Sequence, residues 1–109
     1  MKTSVNFSGE NLQDAAVKKR ISISLSGNFS SKVNYVFQIY RLALEMRING
    51  FVKRSGANII LIEIEVQSNL LEKFLQQLKL LTGENEIILS VSKNKQLLNY
   101  NEFRIINLR

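Results

Sequence analysis

The sequence predicts an α+β sandwich, a four-stranded antiparallel sheet with two helices on one face. Three observations carry this. First, Arg20 to Gly27 alternates, with Ile21, Ile23 and Leu25 on one side and Ser22, Ser24 and Ser26 on the other. A period of two marks a strand with one buried and one wet face, and the serine side argues against layers on both faces of the sheet. Second, Val33–Arg47, which contains neither Gly nor Pro, and the segment between a cap at Ser68 or Asn69 and Gly83 repeat apolar residues at three- and four-residue spacing, as an amphipathic helix requires. Third, Phe51–Lys53 and Ile59–Val66 flank Ser55-Gly56-Ala57-Asn58, which together read as a hairpin.

In chain order, residues 1–18 form a polar tail with a short helical turn near Leu12, and the domain spans 19–109. Gly27 ends the first strand, and Asn28–Lys32 is a polar loop. Ser30 or Ser31 offers a hydroxyl to cap the first helix. Val33, Val36, Phe37, Tyr40 and Leu44 form its apolar face, and Asn49-Gly50 stops it. In the long strand of the hairpin, Ile60, Ile62, Ile64 and Val66 oppose Ile59, Leu61, Glu63 and Glu65. Ser68 or Asn69 caps the second helix, with Asn69 and Glu72 at capping-box spacing. Leu71, Phe74, Leu75 and Leu78 form its core face, and Gly83 closes it. Glu86–Val91 is a fourth strand, Ser92–Asn101 a polar stretch, and Glu102–Ile106 a short final strand. The β-α-β-β-α-β order packs most economically as a ferredoxin-like sandwich.

Composition removes several chemistries. The chain has 109 residues, enough for one domain with a single core. Cys and His are both absent and Asp occurs only at Asp14. Thiol catalysis, disulfides, histidine triads and His-ligated zinc are therefore excluded, and no metal or cofactor is expected. Absence of Cys fits a reducing compartment. With no apolar run of transmembrane length and no signal-peptide pattern, the expected location is the cytoplasm, with no membrane partner. A net charge of +6 favours anionic partners.

A strand ending at Gly27, a polar loop with Phe29 and Val33, a helix, then Gly50-Phe51-Val52 and finally Phe103-Arg104-Ile105 stand in one order. This order resembles the acylphosphatase family, whose first strand ends in G-x-V-Q-G-V-x-F-R, followed by a helix and G-W-V-x-N. The resemblance spans about residues 20–106. It implies that the amides of the loop, together with the motif's arginine, hold a phosphate, while the asparagine positions the attacking water. Here Val36 occupies the arginine position, or Tyr35 if no one-residue gap is placed at Lys32, and Arg54 replaces the asparagine.

The resemblance thus implies an anion site at Asn28, Phe29, Ser30, Ser31, Lys32, Val33 and Arg54, with no catalytic residue assigned. A guanidinium gives phosphate a planar fork of donors that valine lacks. The expected function is an anion-binding or interaction module that has lost hydrolysis. One alternative is an acylphosphatase with a rearranged site, in which Lys32 and Arg54 stand in for the lost arginine. Another is a basic nucleic-acid binder stacking bases on Tyr35, Tyr40, Tyr100, Phe29, Phe51 and Phe103, although the RNP pattern is absent. Glu63 and Glu65 share a strand face and could pair as acid and base; a solvated face complementing nearby lysines is the plainer expectation. An edge strand able to pair with a second copy leaves both monomer and homodimer open.

Overall fold

The elements follow as β1 (Lys18–Ser26), α1 (Tyr35–Glu45), β2 (Asn49–Arg54), β3 (Ile59–Gln67), α2 (Ser68–Thr82), β4 (Ile88–Asn94) and β5 (Phe103–Ile106). The computed structural model describes residues 17–29, 34–83, 88–94 and 96–106. The turn near Leu12, the caps at Ser30 or Ser31 and the strand start at Glu86 lie outside the described residues.

The sheet has five strands in the order β4-β1-β3-β2-β5, not four. The first four are mutually antiparallel, but β5 runs parallel to β2. The chain leaves β4 at one edge, crosses the sheet through residues 96–101 and joins the far edge. There β5 pairs with β2, placing Phe103 opposite Gly50 and Ile105 opposite Val52. Phe103 is buried and Ile105 packs against the core, so burial joins backbone pairing in recruiting the fifth strand.

Both helices contribute to the core on one face of the sheet. Ile21, Ile23, Leu25, Val52, Ile60, Ile62 and Ile64 point toward it, with Ile39, Ala43, Phe74 and Leu78 opposite. The other face carries Ser22, Ser24, Glu63, Glu65, Phe51 and Lys53, as the strand alternation requires.

The helix α1 is shorter than Val33–Arg47, and its buried line is Tyr35, Ile39 and Ala43. Phe37 and Leu44 remain 46% and 48% exposed, because the buried line of the helix runs through Tyr35, Ile39 and Ala43 and those two residues lie off it. Asn34, rather than a serine, is the N-cap, and its Oδ1 accepts from the Phe37 amide at 3.0 Å. The helix ends before Asn49-Gly50. Arg47 takes φ 56°, its amide donates to Leu44 O, and the Ile48 amide donates to Ala43 O. This is a Schellman stop with arginine at the position glycine usually takes. In α2 the expected serine or asparagine cap is replaced by Gln67, which makes no side-chain cap bond. The strand runs directly into the helix, leaving no loop residue to serve as a cap.

Gly50 instead solves a packing problem inside the sheet. Its φ is 147°, and a Cβ there would stand 1.9 Å from Glu63 O and 2.8 Å from Ile64 Cα. Only glycine permits that approach. Gly50→Ala should therefore cost at least about 3 kcal/mol, or abolish folding. Urea unfolding followed by circular dichroism checks this, and a stability within 1 kcal/mol of wild type would refute it.

Candidate functional site

The loop after β1 and the hairpin turn meet at one end of the sheet. Gly27 N donates to Asn58 O at 3.0 Å, tying the two together. Phe29 is buried and packs edge-to-face on Tyr35, with ring centroids 5.5 Å apart. Arg54, the last residue of β2, shares the helix-side parity of Val52, and its guanidinium lies 5.8 Å from the Phe29 ring centroid. Asn28 is exposed beside them. Of the expected anion-site residues, Asn28, Phe29 and Arg54 are thus brought to one end of the sheet, and Ser30, Ser31, Lys32 and Val33 lie outside the described residues. The N-terminus of α1 follows the loop, and helix amides with their dipole favour an anion there. Neither occupant of the motif's arginine position supplies a cation: Tyr35 is buried and Val36 is half-buried against the core.

The two glutamates are neither a free acid–base pair nor a solvated face. Glu65 is 5% exposed. Its Oε2 accepts from the backbone amides of Leu98 at 2.5 Å and Asn99 at 2.9 Å, and its Oε1 from that of Tyr100 at 2.6 Å. Asn99 has φ 58°, which curls the segment around the carboxylate. Glu63 pairs with Arg20 at 3.3 Å and accepts hydrogen bonds from the Ser22 and Tyr100 hydroxyls. Arg20 Nε donates to Gln96 O, and Asn49 Nδ2 to Tyr100 O. Residues 96–101 are therefore strapped over the open face at the end opposite the loop that follows β1. Nothing in the alternation of β3 betrays a buried carboxylate; its partners are backbone amides thirty residues downstream, invisible to side-chain patterning.

The proposed stacking platform does not assemble. Phe103 and Tyr35 are buried, Tyr40 packs on Phe103 on the helix side, and only Phe51 and Tyr100 meet on the open face, edge-to-face at 6.0 Å. Among the described residues no acidic cluster is arranged to hold a metal ion, and no helix is long and apolar enough to cross a membrane.

A two-helix, five-stranded sandwich with a strand–loop–helix turn facing a cationic strand end defines the class. The acylphosphatase family model matches residues 22–105, and the chain belongs to that family. The fold is similar to the acylphosphatase of Bacillus subtilis, with a TM-score of 0.72 and 20% identity over 81% of this chain and 98% of that one. It is likewise similar to an acylphosphatase from Coxiella burnetii, with a TM-score of 0.73 and 15% identity over 86% and 98%. Full-length HypF in its phosphate- and nucleotide-bound form matches with a TM-score of 0.64 and 21% identity over 82% of this chain but only 12% of that one. At these identities the likeness to solved structures establishes the fold. No curated protein matches the chain by sequence.

Two predictions follow from the strap. Glu65→Ala removes three charge-assisted hydrogen bonds and should lower stability by roughly 2–4 kcal/mol, with Glu65→Gln intermediate. Urea unfolding and amide exchange at 98–100 read this out; unchanged protection in the alanine variant would contradict it. Burial, followed by the Glu63 hydrogen bond and charge, pushes the Tyr100 phenol from 10.0 up to about 12. Because the folded value is raised, its contribution to stability is complete below about pH 10 and is lost as pH climbs toward 12. The ultraviolet titration of wild type minus Tyr100→Phe should have its midpoint near 12, and a midpoint near 10 would place Tyr100 away from Glu63.

Proposed function

We propose that this chain is an anion-binding module of the acylphosphatase family whose hydrolytic chemistry has been lost. The observation that supports this is the Arg54 guanidinium laid over Phe29, where the family pattern has an asparagine, together with the missing cation at Tyr35 and Val36. Arg54 keeps positive charge beside the loop, and among the described residues it has no carboxylate partner. Charge attracts a phosphate-type anion; orienting a water for attack calls for an acceptor such as an amide oxygen, and arginine only donates. Removing one preorganised stabilising group costs about 2.7–4 kcal/mol of barrier. Losing both the arginine and the asparagine leaves little rate.

The second reading, hydrolysis of a carboxyl–phosphate anhydride by a rearranged site, draws on the same residue: Arg54 would replace the lost arginine from a new direction, with Lys32 assisting from the loop. Benzoyl phosphate hydrolysis separates the two. Wild type and Arg54→Ala should both match the blank, while inorganic phosphate binds wild type about tenfold more tightly than the variant. Turnover by wild type that falls in the variant would overturn the first reading and establish the second.

A further inference from the structure

A groove of about 270 Å³ lies on the open face, away from the loop and Arg54. The strand registers arrange its floor in two rows across the sheet. One runs Ser90, Ser24, Leu61, Lys53, and the next runs Ser92, Ser22, Glu63, Phe51. At about 4.8 Å per strand, each row spans roughly 14 Å. The strap at 96–101 closes one side, with Tyr100 against Phe51 and hydrogen-bonded to Glu63.

The charges in this groove are unbalanced in one direction. Glu63 is already matched by Arg20, and both its oxygens accept hydroxyl hydrogen bonds. Lys53 lies over the Phe51 ring at 5.9 Å and has no carboxylate partner among the described residues. The hydroxyls of Ser24, Ser90 and Ser92 line the groove and make no hydrogen bond among the described residues. Each can both donate and accept. Leu61 separates them from Lys53 and offers an apolar floor between the two polar ends.

We propose that this groove is a second binding site, for a small polyhydroxylated anion such as a sugar phosphate or a sugar acid. The anionic end sits on Lys53, the carbon chain lies across Leu61, and the hydroxyls exchange hydrogen bonds with Ser24, Ser90 and Ser92. Charge complementarity chooses an anion, and the row of hydroxyls chooses a polyol over a bare ion. The volume lies just below the usual range for drug-sized ligands, which sets the occupant at single-sugar size. Lys53 and Arg54 are neighbours on one strand and point to opposite faces, so the two anion sites are independent and one can fail without the other.

The test is protein-observed NMR titration of the full chain with ribose 5-phosphate, gluconate, neutral ribose and inorganic phosphate. Ribose 5-phosphate, gluconate or both should shift the amides of Ser24, Leu61, Lys53 and Ser90, and the stronger one identifies the anionic group. Ribose and inorganic phosphate should shift them at least about tenfold more weakly. Lys53→Gln should weaken binding about tenfold, while Arg54→Ala leaves it unchanged. The proposal is overturned if neither sugar anion moves these amides at millimolar concentration. It is equally overturned if the shifts fall only at Gly27, Asn28 and Arg54, or if Lys53→Gln binds as wild type does.

Discussion

The Glu65 carboxylate is the constraint on which the far half of the sheet depends. The chain must travel from one edge of the sheet to the other between β4 and β5, over a face made of strand side chains. A polar crossing segment has no ladder of its own, and unpaired amides at a buried surface are costly. Glu65 removes that cost by accepting from three consecutive amides. Asn49 and Arg20 hold the two ends of the same crossing, and Gly50 N then receives β5 by donating to Glu102 O at 2.9 Å. A carboxylate set between core residues Ile64 and Val66 in sequence is thus an organiser of topology.

That role explains which parts of the architecture were legible beforehand. Alternation in β1 and β3 and the hairpin at Ser55–Asn58 needed only local side-chain pattern, and both stand where the periodicity placed them. Phe37 and Leu44 misled because an exposed apolar residue looks the same in sequence as a buried one; which line of the helix is buried is a tertiary fact. The fifth strand was visible as an apolar segment, yet its parallel partner was not, because pairing depends on a crossing whose anchors are backbone amides. Gly50 was noticed as a stop signal, while its actual constraint is the Glu63 carbonyl on the neighbouring strand.

The candidate site shows the same division. Motif order pointed to Arg54, but its contact with the Phe29 ring is a matter of strand-end geometry. The open-face groove left no trace in the motifs at all. It arises because three strands and the short run of β2 place serines, a leucine and a lysine in line across the sheet, at positions far apart in the chain. One strand end therefore addresses both faces, with Arg54 turned to the loop and Lys53 to the groove.

The parallel placement of β5 also bears on how the protein is made. The edge of β2 that β5 covers is made before β3, the second helix and β4, whereas its cover follows all of them in the chain. On the ribosome, β1, β3 and both helices can assemble while that edge is still bare, an open template for a neighbouring nascent chain. The domain is sealed only when Ile106 has emerged. Closure of that edge thus waits on β5, and termination after β4 would release a nearly complete sandwich with an adhesive flank.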